Sequence, residues 1–305
     1  MSETIPHGII PAVVTPFDEE ERIDYRAFER IIDHLIEAGV HGLFFGGGQG
    51  EFFSLSGLER RVMMREVAQM VDGRVPTYMG AGAVTTRDSI ELALAAGDAG
   101  ADYVVIITPY YVKPCQAELE DHYVAICRHS PAPVMAYNIP ERTGNALKPQ
   151  TVRRIADTSD RFVGLKDSSG DLDEVRQFVA LGKSLGRPFH VFMGRDHMIV
   201  QGLQAGCAGA VAACGNVIPE LLVGLYEAFR RGDLALAEQL QEKVKPLRLA
   251  FSMGTFPVVI KEAMKIAGLP AGNCRRPVGN LSAVERDQLR AIVEEVLATP
   301  VPRAA

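Results

Sequence analysis

No Cys-x-x-Cys pair occurs in this 305-residue sequence, and its five cysteines (Cys115, Cys127, Cys207, Cys214, Cys274) are odd in number and widely scattered. A disulfide framework or a zinc ribbon needs clustered, evenly counted thiols, so neither is expected. The seven histidines form no His-Glu-x-x-His arrangement. Cys127 and His129 are close in sequence, but two residues do not make a metal site, and no metal or other cofactor is expected. Basic blocks are missing too. With a net charge of −6 the composition argues against nucleic acid and anionic membranes as partners. No uncharged apolar run reaches the ~18 residues of a membrane span. The opening Met1-Ser2-Glu3-Thr4-Ile5-Pro6 lacks the basic and apolar regions of a signal peptide. A reducing cytoplasm is the expected location.

What is present is ordinary globular material, 47% hydrophobic and 23% charged. Apolar, β-branched runs recur at 8–15, 42–46, 76–80, 103–108, 134–138, 162–166, 189–193 and 209–213. Their spacing of roughly thirty residues is that of a βα unit with its loops. Between them lie helical periodicities such as 25–38, with apolar Phe28, Ile31, Ile32, Leu35 and Ile36 on one face. Asp24 and Ser56 are the expected N-caps of the first two helices, and Gly39 and Gly100 the expected stops. Eight alternations with near-continuous apolar strands predict a parallel sheet closed into a (β/α)8 TIM barrel. Beyond it, 219–231, 234–249, 257–267 and 283–297 read as helices. The expected division is a catalytic barrel over 1–231 and a C-terminal helical region over 232–305, with 299–305 frayed.

A barrel puts reactive groups at the C-terminal ends of its strands and in the loops that follow. Thr15, Gln49, Glu51, Tyr110, Tyr111, Tyr137, Arg142, Lys166 and Arg195 all fall there. Lys166 closes the apolar run 162–166. In water a lysine titrates near ~10.4, whereas burial disfavours the ammonium and frees an amine able to attack a carbonyl. Locally, a pair with Asp167 or a strand cap is the alternative reading. Gly46-Gly47-Gly48-Gln49-Gly50-Glu51 lets backbone N–H groups approach an anion, and it lacks the spacing of a phosphate loop or a dinucleotide fingerprint. Either a carboxylate nest or a tight turn satisfies it. Tyr137 can relay a proton or fill the barrel mouth. Arg142 offers a planar fork to a carboxylate, or pairs with Glu141. Adjacent Tyr110 and Tyr111 suit a subunit interface.

In their order and spacing these motifs resemble the dihydrodipicolinate synthase/N-acetylneuraminate lyase family of pyruvate-handling class I aldolases, over nearly the whole chain. The matching stretches are Gly47-Gly48-Gln49-Gly50-Glu51, Thr108-Pro109-Tyr110-Tyr111, Tyr137-Asn138-Ile139-Pro140, Gly164-Leu165-Lys166-Asp167 and Gly209-Ala210-Val211. The resemblance implies that Lys166 forms an imine with a 2-keto acid, usually pyruvate, while Tyr137 shuttles protons. Gly48 and Gln49 would hold the carboxylate, and Val211 would line the pocket through its carbonyl. Tyr111 would reach a neighbouring subunit's site within a homotetramer.

Departures from the family pattern bear on the substrate. Gly48-Gln49 stands where synthases and most lyases carry two hydroxyl residues, so their tyrosine–threonine–tyrosine relay cannot be assembled in the same form. Glu51-Phe52-Phe53-Ser54-Leu55 resembles the branch that handles keto-deoxy sugar acids. Arg142 pulls the other way, matching an arginine that synthases use for a substrate carboxylate. The expected function is aldol cleavage or dehydration of a 2-keto-3-deoxy sugar acid. The alternatives are 4-hydroxy-tetrahydrodipicolinate synthase and a catalytically silent keto-acid-binding barrel.

Overall fold

The architecture follows from strands that are apolar on both faces. The computed structural model describes residues 6–300. Its strands are β1 (Gly8–Pro11), β2 (Leu43–Phe45), β3 (Thr77–Gly80) and β4 (Tyr103–Ile107), then β5 (Val134–Asn138), β6 (Phe162–Asp167), β7 (His190–Met193) and β8 (Gly209–Ala212). All eight run parallel in the order β1-β8-β7-β6-β5-β4-β3-β2. The ends of that order meet where Ala12 bridges Phe44 and the Val13 N–H donates to the Phe44 carbonyl at 2.9 Å. The sheet thereby closes into the expected (β/α)8 barrel.

Pleat alternation sorts each strand into two cores. Ile10, Phe44, Tyr78, Val105, Met135, Phe192 and Val211 fill the barrel interior. Ile9, Leu43, Met79, Val104, Val134, Leu165 and Val191 face outward against the helices. Because successive side chains point to opposite faces, an outward Leu165 sends Lys166 inward. Fully buried Phe44, Tyr78 and Phe192 pack this interior.

Helices α1 (Tyr25–Glu37), α2 (Gly57–Val71), α3 (Thr86–Asp98) and α4 (Gln116–His129) follow β1 to β4 in turn. Asp24 caps α1 by accepting from the Arg26 and Ala27 N–H groups, and Ser56 forms a reciprocal capping box with Glu59 at α2. A four-residue helix, α5 (Pro140–Thr143), follows β5 directly and was not apparent in the periodicity. The outer layer continues with α6 (Pro149–Thr158), α7 (Leu172–Ser184), α8 (Ile199–Ala205) and α9 (Pro219–Arg230). Then come α10 (Leu234–Leu249), α11 (Val258–Ile266) and α12 (Ala283–Leu297). Gln241 of α10 ties this last part to the mouth of the barrel, donating to the Asp196 carbonyl at 2.9 Å and accepting from the Val200 N–H at 3.1 Å.

Two strand expectations are corrected. The first run, expected over 8–15, is a strand only to Pro11. Beyond it the Val14 N–H goes to the Asn216 side chain at 3.2 Å, and the Thr15 hydroxyl donates to the Gly50 carbonyl at 2.7 Å. The second, expected over 42–46, stops at Phe45 because Gly46 turns left-handed at φ +63°. Within the expected frayed tail, 301–305 lie outside the described residues.

Candidate active site

Lys166 and Tyr137 are register partners on β6 and β5. Lys166 is only 5% exposed, and no carboxylate or other hydrogen-bond acceptor pairs with it among the described residues. Its Nζ lies 4.0 Å from the Tyr137 ring centre and 5.1 Å from that of Phe44. Burial strips the ammonium of water and lowers its pKa to about 7, against a smaller opposing pull from Asp196. The Asp167 pairing considered for this lysine does not occur. Asp167 points to the opposite face and accepts from Asn138 Nδ2 at 2.7 Å and from the Ser169 hydroxyl at 2.6 Å. Tyr137 is buried as well, and desolvation pushes its phenol up to about 12 despite a hydrogen bond with Ser168. Near neutral pH the pair is therefore a neutral phenol beside an amine close to half-deprotonated.

The glycine turn is set by backbone shape and by one buried ion pair. Gly46 and Glu51 both adopt positive φ, and the Glu51 N–H closes the turn on the Gly48 carbonyl at 3.0 Å. Glu51 is fully buried and pairs at 2.5 Å with Lys261 of α11, itself 1% exposed. Lys261 also donates to the Asn273 carbonyl at 2.9 Å, and the Arg275 N–H donates to Glu51 Oε2 at 3.1 Å. Gln49 is 6% exposed, and its Oε1 has no hydrogen-bond partner among the described residues. At Gly48 a Cβ would stand 3.2 Å from the Phe256 ring, so the C-terminal segment presses on this turn.

A cavity of about 400 Å3 opens at the mouth, lined by Gly48, Gln49, Tyr137, Arg142, Lys166 and Val211. Four strand-end candidates from the sequence do not reach it: Thr15 is bonded to Gly50, Glu51 is buried in its ion pair, Tyr110 lines a neighbouring recess, and Tyr111 is 96% exposed with φ at +73°. Arg142 does not pair with Glu141, as one reading had it. Its Cζ lies 4.3 Å over the Phe256 ring, while Glu141 takes Arg195 at 2.6 Å. The cavity wall also includes Arg195, named among the strand-end residues, and Ser168, Asp196, Arg248, Ser252 and Phe256, which the sequence did not single out. Arg195 and Asp196 directly follow β7, so the strand-end rule points to them. Arg248 and Phe256 come from beyond the barrel and carry no local signal. An apolar recess of about 250 Å3, lined by Phe52, Phe53, Ile107 and Tyr110, shares Gly48, Tyr137 and Arg142 with the main cavity.

Among the described residues no three His, Cys, Asp or Glu side chains converge as a metal site, and no helix is long and apolar enough to cross a membrane. Lys166, Arg142, Arg195 and Arg248 outnumber Glu141 and Asp196 around the cavity, which favours an anionic ligand.

The model of the dihydrodipicolinate synthetase family matches residues 5–296. A 4-hydroxy-tetrahydrodipicolinate synthase of Methanoculleus marisnigri is 36% identical over 94% of this chain and 98% of its own length. A probable 2-dehydro-3-deoxy-D-pentonate aldolase of Escherichia coli, YjhH, is 37% identical over 94% and 96%. Among solved structures, YagE, a prophage protein of the dihydrodipicolinic acid synthase family from Escherichia coli in complex with pyruvate, superposes with a TM-score of 0.92. It is 34% identical and covers 96% of this chain and 99% of that one.

Proposed function

The chain belongs to the dihydrodipicolinate synthetase family and is a pyruvate-dependent class I aldolase, and from that premise we propose that Lys166 is its Schiff-base lysine and a 2-keto-3-deoxy sugar acid its substrate. The observation that carries the assignment is a buried lysine without a carboxylate partner, its pKa lowered to about 7, packed against Tyr137. Neutral Lys166 attacks the C2 carbonyl, and the oxygen gains a proton. Loss of water from the carbinolamine leaves an iminium. The C3–C4 bond then breaks as the C4 hydroxyl gives up its proton, releasing an aldehyde while the bonding electrons pass into the iminium. Protonation of the resulting enamine at C3 and hydrolysis of the imine return pyruvate and free Lys166. Tyr137, neutral and beside the amine, is the group proposed to carry these protons. The turn at Gly48 and Gln49 is proposed to hold the C1 carboxylate. Val211 of β8 also lines the cavity.

Two features favour sugar acids over aspartate semialdehyde. Gly48 brings no hydroxyl to relay protons between tyrosines, and the cavity continues into the recess beside it. Arg142 favours the second reading, 4-hydroxy-tetrahydrodipicolinate synthase, since its fork suits the carboxylate of the semialdehyde. Borohydride with pyruvate should add one reduced pyruvyl group per chain, on Lys166, and Lys166→Ala should abolish it. Labelling of another lysine would overturn the assignment. A panel of keto-deoxy sugar acids against pyruvate plus aspartate semialdehyde separates the two substrate readings by their kcat/KM.

A further inference from the structure

We propose that Arg248 of α10 adds a second free guanidinium to the carboxylate fork that the family resemblance implies for Arg142, so that the preferred substrate is a 2-keto acid carrying a second carboxylate at its far end. The proposal rests on the reading that Lys166 forms the imine. Three guanidinium groups line the cavity, Arg142, Arg195 and Arg248. Arg195 is already engaged, donating to the Ser168 carbonyl at 2.8 Å and to Glu141 at 2.6 Å. The other two have no carboxylate or carbonyl partner among the described residues. Each is held instead on an aromatic face, with Arg142 Cζ 4.3 Å from the Phe256 ring centre and Arg248 Cζ 4.9 Å from that of Phe251.

A guanidinium lying on a ring keeps its N–H groups free at the edge of the plane, where a carboxylate can take two of them. The nearby acids do not fill that role. Glu141 is bound to Arg195, and Asp196 is buried and accepts from the Cys214 N–H at 2.7 Å. A keto acid with a single carboxylate places its charge at the glycine turn and leaves both cations unmatched. Charge at the substrate's other end matches them.

The test reads the concentration at which keto acids half-saturate borohydride-trapped labelling of Lys166, each relative to pyruvate. The diacids 2-oxoglutarate, 2-oxoadipate and 2-oxopimelate are compared with 2-oxopentanoate, 2-oxohexanoate and 2-oxoheptanoate. At least one diacid should half-saturate at roughly ten- to a hundredfold lower concentration than its length-matched monoacid, the range expected for a charge-assisted hydrogen bond. That preference should shrink as salt is raised. Arg248→Gln should cut it at least about fivefold and Arg248→Lys should keep part of it. No diacid preference at any length overturns the proposal, as does a preference that Arg248→Gln leaves intact. Should that variant not fold, the wild-type comparison and its salt dependence decide alone. Failure of pyruvate itself to label Lys166 would instead remove the imine reading, and this proposal with it.

Discussion

Lys166 carries its consequences in its proton. Its folded pKa, about 7, lies below the ~10.4 of a solvated lysine, so it titrates inside the working range. With the neutral amine as the proposed nucleophile, the rate of imine formation with pyruvate should rise through pH 7 and level off above it. Stopped-flow or quenched trapping across pH 5.5–9.5 checks this; a rise that continues to pH 10 would mean an ordinary, solvated lysine. Stability follows the same proton. Between about pH 7 and 10 the unfolded chain holds a proton on this lysine that the folded chain lacks, so its contribution to stability grows with pH, by up to ~1.4 kcal/mol per unit. Below 7 both states are protonated and the burial cost is felt in full. Lys166→Met should therefore raise Tm most at or below pH 7, with the gain shrinking toward pH 10. For Tyr137, held neutral by a pKa of about 12, removal of the hydroxyl in Tyr137→Phe should lower kcat by about 10²–10⁴-fold with little change in Tm. Both residues are legible in the sequence because strand alternation and the strand-end rule are local. Arg248 and Phe256 are not, because what makes them site residues is where α10 and its following segment come to rest.

At the scale of elements, the turn between β2 and α2 depends on a partner from α11. Removing one member of the Glu51–Lys261 pair leaves a buried charge uncompensated, a loss typically of about 3–5 kcal/mol. Lys261→Met and Glu51→Gln should each destabilise by that order and raise the KM for pyruvate. The double variant should recover much of the stability, since an apolar and polar replacement of a buried pair is often near neutral. Denaturant melts of the full cycle measure it; purely additive losses would show that the two side chains act separately. The sequence announced Glu51 only as the end of a glycine motif. Lys261 sits in an unremarkable amphipathic helix, and a long-range ion pair has no periodic signature. The strands were legible for the opposite reason, since parallel strands buried on both faces read as unbroken apolar runs. The overshoot at β1 arose because Ala12, Val13, Val14 and Thr15 are equally apolar or β-branched, but Val14 and Thr15 send their hydrogen bonds to a side chain and a turn.

For the whole molecule, Tyr111 stands out of its own cavity, almost fully exposed at a left-handed backbone angle uncommon for a bulky residue. Phe53 and Val112 are exposed as well. We propose that this aromatic surface is buried in a homotetramer, bringing Tyr111 near a partner subunit's Lys166. Light scattering should then give about four times the chain mass. Because Gly48 cannot bridge the two tyrosines, Tyr111→Phe should cost much less kcat than Tyr137→Phe. A fully active monomer would refute a shared site, and equal losses would show that another group restores the relay. The proposed division at residue 231 is likewise functional in meaning. The barrel supplies the amine and the phenol, and the helical region supplies a roof through Arg248, Ser252 and Phe256.

The contact between the Arg275 N–H and Glu51 spans 224 residues of chain. A ribosome adding 5–20 residues per second takes roughly 10–45 s to cover that distance. Through most of that interval the carboxylate that sets the glycine turn has neither Lys261 nor Arg275 to receive it, and the wall bearing Arg248 and Phe256 is still to come. The nascent barrel thus carries Lys166 well before the glycine turn and the roof are in place. On the Lys166 assignment proposed above, a chain released before Lys261 should show no borohydride-trapped labelling by pyruvate, whereas the full chain should.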